Sequence, residues 1–238
     1  MSNASTTVVV TGGSGYLGTH VIEQLLNQGY SVVATVRSPD AQQRVIKSLE
    51  NRVENSDSLR FVLAELGSDA GWSDAVAGAT YVIHTASPFP AVQPDDPNEL
   101  IAPARDGALR VLRAAKAAGV QRVVLTSSFA AVGYSRTNFD VPFTEADWTD
   151  ANDHSNTPYV RSKTIAERAA WDYVHGEGQG LELSVINPVA IIGPVHSADF
   201  ASSIGMVLML TAGVMPGNPK LSFGVVDVRD VADLHIRA

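Results

Sequence analysis

Two hydroxyl groups and one ammonium group stand out in the sequence because of their residue types and spacing. Tyr159 and Lys163 lie four residues apart, so a helix would place the phenol and the ammonium on one face. A nearby cation stabilises the phenolate and lowers the ordinary phenol pKa of about 10, which makes tyrosine a credible general acid near neutral pH. Ser128, with Ser127 as the alternative, ends an apolar run and can hydrogen-bond the oxygen that receives the proton.

Each of these features also has a plain structural explanation. A tyrosine and a lysine four residues apart are common on helix surfaces, and serines at a strand end can simply satisfy backbone groups. Their order along the chain favours chemistry, because a glycine-rich turn precedes the serines and the Tyr159–Lys163 pair follows them. We therefore expect a catalytic centre at the carboxyl ends of parallel strands, where open α/β sheets bind their ligands.

A strand, a glycine turn and a helix at the start of the chain would position this centre. Residues 7–11 are a β-branched run that predicts a buried strand, and apolar residues at helical spacing begin after the glycines. Gly12 allows a sharp turn, Gly15 allows a pyrophosphate to approach the backbone, and Gly18 allows the helix to pack closely on the strand. The free N–H groups of the helix N-terminus would then bind the phosphates, although a tight turn without a ligand remains the alternative.

Arg37 indicates which dinucleotide the turn would bind. It lies nineteen residues after Gly18, at the end of the second predicted strand. A carboxylate at this place binds the ribose 2′-OH of NAD, whereas arginine can pair with the 2′-phosphate of NADP. The sequence thus favours NADPH/NADP, with two alternatives: Arg37 is merely solvated, or the nearby Asp40 serves a 2′-OH.

The alternation of strand and helix patterns predicts an α/β fold, a Rossmann-type doubly wound parallel sheet. We expect a dinucleotide-binding domain over residues 1–187 and the start of a small, incomplete C-terminal substrate lobe over residues 188–238. A short strand is predicted over 221–226. The helical pattern from Val231 stops at Ala238 without a cap or a breaker, so we expect the chain to be shorter than a natural protein.

Composition excludes several classes of function. The net charge of −8 and the pI of about 5.1 argue against nucleic acid or an anionic membrane as the main partner. The absence of cysteine excludes disulfides and thiolate chemistry, and no group of residues shows zinc-ligand spacing. The short polar N-terminus shows no signal peptide or spanning segment, so a cytoplasmic location is expected.

Taken together, the motifs resemble those of the extended short-chain dehydrogenase/reductases. The resemblance rests on five segments: Thr11–Gly18, Ser128, Tyr159–Lys163, Asn187–Pro188 and Asp227–Ala232. Two further segments, His84–Phe89 and Leu125–Ser128, resemble the dihydroflavonol-reductase-like branch, whose members include NADPH-dependent aldehyde and ketone reductases. We read His84 itself as a buried structural residue, because it lies inside an apolar strand.

The resemblance implies a role for each residue by its position. Tyr159 would donate the proton, Lys163 would hold the nicotinamide ribose and Ser128 would orient the carbonyl. The residues expected to bind the cofactor are Gly12, Gly15, Tyr16, Leu17, Gly18, Arg37, Glu65, Leu66, Thr85, Ala86, Ser87, Tyr159, Lys163, Pro188 and Val189. Two departures from the family pattern matter: Glu65 stands where relatives usually carry aspartate, and the cinnamoyl-CoA signature is absent at 155–159, which argues against that substrate.

The sequence thus predicts an NADPH-dependent carbonyl reductase acting on a small apolar aldehyde or ketone. The expected pocket walls are Phe89, Phe129, Ala130, Val132, Tyr134, Val189 and Met206. One alternative is an epimerase or dehydratase of nucleotide sugars from the same superfamily, and another is a cofactor-sensing regulator without turnover. The motifs leave the oligomeric state, monomer or homodimer, open.

Overall fold

The fold was analysed from a computed structural model of the 238-residue chain. The described residues are 3–88, 94, 96–136, 138, 140–197, 202–213, 217, 220 and 222–238. The strands are β1 (Thr7–Thr11), β2 (Ser31–Val36), β3 (Leu59–Leu63), β4 (Tyr81–His84), β5 (Arg122–Thr126), β6 (Glu182–Ile186), β7 (Ala190–Ile192) and β8 (Val225–Asp227). The helices are α1 (Tyr16–Asn27), α2 (Pro39–Leu49), α3 (Trp72–Val76), α4 (Asn98–Ala117), α5 (Pro158–His175), α6 (Ser202–Thr211) and α7 (Val228–Arg237).

The large sheet has six parallel strands in the order β3-β2-β1-β4-β5-β6. This is the strand order of a doubly wound dinucleotide-binding fold, and it confirms the predicted fold class. The order reverses direction between β1 and β4, and the carboxyl ends of these two strands border the crevice where such sheets bind ligands.

The β1 strand shows why the sheet is covered on both faces. Val8 and Val10 pack into one apolar cluster with α1, α2 and α7, while Val9 packs into a second cluster with α3, α4 and α5. Successive side chains of a strand point to opposite faces, so a continuous valine run requires a helical layer on each side. The sheet therefore lies between α1 and α7 on one face and α5, the helix that carries Tyr159 and Lys163, on the other.

The C-terminal part differs from the sequence prediction in two places. The small sheet pairs β7 with β8, whereas only one strand, over 221–226, was expected, and Leu221 lies outside the described residues. A strand of three residues is too short to show a periodic pattern. The last helix begins at Val228 instead of Val231, because the Asp227 carboxylate accepts a hydrogen bond from Arg229 N (2.8 Å) and caps it.

The division at residue 187 stays a proposal. It falls between β6, the last strand of the large sheet, and β7 of the small one. The α7 helix that follows nevertheless packs against α1 and joins the same core cluster. Within the described part of the chain, no helix combines the length and the apolar composition that crossing a bilayer requires.

The glycine turn brings the β1 end and the α1 helix closer than side chains would permit. Gly12 has a φ of +65°, and a Cβ there would lie 2.9 Å from Ala86 Cα. A Cβ at Gly18 would lie 2.4 Å from the Gly12 carbonyl oxygen. Both obstacles are backbone or backbone-attached atoms, so neither contact is relieved by rotating a side chain.

We predict that Gly18→Ala lowers the free energy of unfolding by about 1–3 kcal/mol, because the added methyl group overpacks the turn. Gly67→Ala is the matched control, since a Cβ at Gly67 would meet no atom of the described residues within 4 Å, and its effect should stay within about 0.5 kcal/mol. Urea denaturation measures both. Equal stability of the two variants would contradict the close approach of α1 to β1.

Candidate functional site

The α5 helix places the phenol and the ammonium of the predicted pair one turn apart. Thr157 caps the helix, since its side-chain oxygen accepts a hydrogen bond from Val160 N (3.3 Å), and Pro158 occupies the first helical position. Tyr159 therefore lies in the first turn and Lys163 in the second. The sequence prediction that both share a helix face agrees with the 5.9 Å between Lys163 Nζ and the centre of the Tyr159 ring.

Ser128 meets Tyr159 from the end of β5. The two side chains form a hydrogen bond, and the Ser128 hydroxyl also accepts one from Ala130 N (3.1 Å), which fixes its oxygen at the start of a short 3₁₀ turn. The Ser127 hydroxyl is buried and has no hydrogen-bond partner among the described residues. Of the two serines, the geometry therefore favours Ser128 as the group that shares an oxygen with the phenol.

Lys163 is a buried cation whose charge is held close to the site. The residue is 8% exposed, and its Nζ donates a hydrogen bond to Ser87 Oγ (3.0 Å) at the end of β4. Burial lowers the pKa of Lys163 to about 8, while the charge of Glu167 acts in the opposite direction. The ammonium form still predominates at pH 7.

The expectation that a nearby cation lowers the pKa of Tyr159 is wrong. Burial raises the pKa of Tyr159, the hydrogen bond from Ser128 opposes this rise, and the neighbouring Tyr134 adds to it. The free-energy cost of burying a phenolate is here larger than the stabilisation by the Lys163 charge. The Lys163 ammonium donates its hydrogen bond to Ser87 and not to the phenol oxygen. The phenol therefore stays protonated at neutral pH, which is the form that a proton donor needs.

Two residues behind the site, Asn187 and Glu167, hold Ser128 and Lys163 in place; the sequence indicated Asn187 only as part of a family motif and did not indicate Glu167. Asn187 Nδ2 donates to Ser128 O (3.1 Å) and to Glu167 Oε2 (2.7 Å). Glu167 is 5% exposed and follows Lys163 by one helical turn. Its carboxylate therefore accepts the hydrogen bond from the Asn187 amide and also lies near the Lys163 ammonium. The four-residue spacing of Lys163 and Glu167 was the available signal, but that spacing usually marks an exposed surface pair.

The β1 and β4 ends are joined beneath the expected nicotinamide site. Thr85 Oγ1 donates to Thr11 O (2.6 Å), and Ala86 N donates to Thr11 Oγ1 (3.2 Å). His84 is 2% exposed and bonds Thr11 Oγ1 through Nδ1 (2.6 Å), as expected of a buried structural residue. Burial lowers the pKa of His84 to about 3, so its ring is neutral and carries no charge into the site.

The glycine turn leaves the first turn of α1 open to an anion. Gly15 is the N-cap, and it has no side chain that could cap the helix. Of the described atoms, a Cβ at Gly15 would meet only Gly12 O, at 3.2 Å, so the backbone here is accessible from outside. Tyr16 and Leu17 are the first two residues of α1, and the Leu17 side chain is buried in the core. A phosphate at the positive end of the helix would therefore meet the backbone N–H groups of these two residues.

Arg37 lies exposed at the carboxyl end of β2, beside the α2 helix. It makes no ion pair with any described residue, so its guanidinium is available for a phosphate. Asp40 lies in the first turn of α2, where a carboxylate is favoured by the helix dipole alone. The position of Asp40 thus has a structural reason that does not involve a ribose.

The remaining predicted cofactor residues lie at the same edge of the large sheet. Glu65 and Leu66 follow β3; Glu65 is exposed, and the Leu66 side chain packs beside Gly107 of α4. Pro188 and Val189 connect β6 to β7, and Pro188 O accepts a hydrogen bond from Phe129 N (2.9 Å). The structure therefore brings these residues to one rim, while their individual contacts with a cofactor stay predictions.

The residues predicted to form the pocket walls differ in their exposure, and not all of them are described. Phe129 packs edge-on against Phe143, with ring centres 5.3 Å apart, and Val132 and Val189 are half-buried. Tyr134 is 57% exposed, whereas Ala130 is 4% exposed and packs beneath the surface. Phe89 lies outside the described residues, and of Met206 the structure describes only its position in α6.

Comparison with known proteins places this geometry in context. The sequence matches the NAD dependent epimerase/dehydratase family over residues 8–238. It is 41% identical over 245 aligned residues to cinnamoyl-CoA reductase CAD2 of Medicago truncatula. The aligned region covers 100% of this chain and 73% of that relative.

Two solved structures are similar over almost the whole chain. The yeast methylglyoxal/isovaleraldehyde reductase Gre2, complexed with NADPH, matches with a TM-score of 0.86 and 28% identity over 97% of this chain and 73% of that one. Gre2 from Candida albicans, in complex with NADPH, matches with a TM-score of 0.81 and 30% identity over the same shares, 97% and 73%.

The buried lysine predicts a specific dependence of stability on pH. Between pH 8 and pH 10.5 the unfolded chain keeps a proton on Lys163 that the folded chain releases, so this residue makes the fold more stable as pH rises through that window. Urea denaturation at both ends of the window should show this gain in the parent relative to Lys163→Met. An identical pH dependence of the two proteins would show that Lys163 is not buried as described.

Proposed function

The chain belongs to the NAD dependent epimerase/dehydratase family, and we propose that it is an NADPH-dependent oxidoreductase that reduces an aldehyde or ketone to an alcohol. The observation that carries this assignment is the hydrogen bond between Ser128 and Tyr159 beside the buried Lys163. The comparisons agree, since both similar structures hold NADPH and one is a methylglyoxal/isovaleraldehyde reductase.

The residues present fit the proposed cofactor. The pyrophosphate would lie over Gly15 and the uncapped first turn of α1, where a side chain at Gly15 would intrude. Arg37 would pair with the 2′-phosphate, and Lys163 would hold the nicotinamide ribose from below. When bound, NADPH supplies a hydride from its nicotinamide ring.

Within this proposal the protein supplies the proton and orients the substrate. The Ser128 hydroxyl donates a hydrogen bond to the substrate oxygen, and Tyr159 delivers its phenolic proton to the same atom. The raised pKa of Tyr159 keeps that proton in place until charge develops on the oxygen. Lys163 then stabilises the phenolate, because its buried ammonium lies 5.9 Å from the centre of the Tyr159 ring.

The substrate class is a finer proposal. We favour a small apolar carbonyl compound, because the described residues beside the site include Phe129, Val132 and Val189. A coenzyme A thioester is the substrate class of one relative, but the signature for it is absent at 155–159. An epimerase is less supported and would show no net consumption of NADPH, while a regulator without turnover would not need Ser128, Tyr159 and Lys163 together.

We expect Tyr159→Phe to lower kcat for reduction of an activated aryl ketone by about 10²- to 10⁴-fold, since it removes the general acid. NADPH oxidation measures the rate. Tyr173→Phe is the matched control, because Tyr173 lies on the same helix and packs beside Gly178, away from Ser128, and it should retain the parent rate. Activity of Tyr159→Phe within tenfold of the parent would refute the assigned role.

Arg37→Gln should weaken NADPH binding by about 10- to 100-fold, the value of a charge-assisted hydrogen bond, and leave NADH binding unchanged. Titrating each cofactor into the protein and following the quenching of tryptophan fluorescence measures both affinities. Arg60→Gln, which removes an exposed arginine that bonds Asp74 O (3.3 Å), is the control and should change neither. A parent protein that binds NADH more tightly than NADPH would overturn the role given to Arg37.

A further inference from the structure

A second cluster of chemically capable side chains lies on the opposite helical layer from Tyr159. His20 and Glu23 stand one turn apart on α1, and His196 approaches them from the segment after β7. One nitrogen of each ring and one carboxylate oxygen lie within 4.8 Å of one another. His20 is 2% exposed, the His196 side chain 4% and the Glu23 side chain 21%, so the three groups are enclosed but not sealed.

The hydrogen bonds fix the chemistry of the His20 ring. Its Nε2 lies 3.0 Å from Pro194 O, which only accepts, so this nitrogen carries the proton. Burial, and then the neighbouring His196, lower the pKa of His20. The lone pair of Nδ1 is left facing the Glu23 carboxylate oxygen at 3.9 Å. Two acceptors facing each other in a buried place repel unless a cation lies between them.

His196 is held differently. Its Nε2 lies 2.5 Å from Glu23 Oε2, and its Nδ1 is buried and has no hydrogen-bond partner among the residues that the structure describes. The rings of His20 and His196 are only 3.8 Å apart between centres, so both cannot be charged without strong repulsion. The Glu23 carboxylate only accepts, so Nε2 carries the proton in this hydrogen bond. A metal ion at Nε2 would displace that proton, and the unpartnered Nδ1 of the same ring can take it up.

We propose that His20 Nδ1, Glu23 and His196 Nε2 form a site for a divalent transition-metal ion of the zinc type. The ion would replace the proton shared by His196 and Glu23 and would open that pair to about 3.4 Å, the separation of two ligands about 2.1 Å from a tetrahedral centre. Pro194 O already provides the outer hydrogen bond that orients a histidine ligand. This site is independent of the reductase proposal.

The ligand set selects the class of metal. Two imidazoles and one carboxylate suit Zn²⁺ and its neighbours, whereas Mg²⁺ and Ca²⁺ prefer oxygen ligands. An open cleft of about 540 Å³ beside the cluster gives an ion a path from solvent. Arg52 and Arg229 line the same cleft, but the charge of Arg229 is paired with Asp227 at 2.7 Å.

A titration with Co²⁺ tests the site, because this ion gives a visible absorption spectrum when bound by nitrogen and oxygen in tetrahedral geometry. The purified protein, free of any histidine tag, is titrated with Co²⁺ and then with Zn²⁺ as competitor. We expect one equivalent of Co²⁺ to bind and Zn²⁺ to displace it. Glu23→Gln and His196→Asn should each weaken binding by about 100-fold or more, since loss of an outer-shell partner alone costs 10- to 100-fold.

The control is His154→Asn, which removes an exposed histidine elsewhere and should bind as the parent does. Glu23→Gln preserves shape at a partly exposed position, so it decides the question if His196→Asn does not fold by circular dichroism. A parent protein that binds no Co²⁺ would overturn the proposal. So would Glu23→Gln binding Co²⁺ with the parent's affinity, because the cluster would then be a histidine–carboxylate hydrogen bond and nothing more.

Discussion

The hydrogen bond between the Ser128 and Tyr159 side chains is the interaction on which the site depends. It joins the end of β5 to the first turn of α5, two elements separated by a long loop in the sequence. Thr157 caps the start of α5 beside Tyr159, and the Asn187 amide donates a hydrogen bond to the Ser128 carbonyl, so each partner is held by a contact of its own. Two hydroxyls held in this way can converge on one substrate oxygen, which neither element could achieve alone.

Burial sets the acid–base properties of the same place. It raises the pKa of Tyr159 and lowers the pKa of Lys163 to about 8, so the protein holds a protonated phenol beside a lysine whose ammonium form predominates at pH 7. The Glu167 carboxylate limits the fall for Lys163, and His84 stays neutral because its pKa is about 3. In Tyr159, Lys163 and His84 burial is the largest cause of the pKa shift, and neighbouring charges and hydrogen bonds are smaller causes.

The long elements and their order were predictable from the sequence, because buried strands and amphipathic helices carry periodic patterns over many residues. The glycine turn and the shared face of Tyr159 and Lys163 follow from local spacing. In the small sheet, the strand predicted over 221–226 overlaps β8, whereas β7 was not predictable, since three residues give no period. The sign of the Tyr159 pKa shift and the approach of His196 to Glu23, 173 residues away along the chain, depend on tertiary packing that no local pattern encodes.

A double-mutant cycle on kcat tests most directly whether the two hydroxyls act as one unit. It compares Ser128→Ala, Tyr159→Phe and the double variant in reduction of the same aryl ketone by NADPH. Because both groups serve one oxygen atom, the double variant should lose about as much activity as the worse single variant. Losses that multiply would contradict the account, since each hydroxyl would then act independently of the hydrogen bond that joins them.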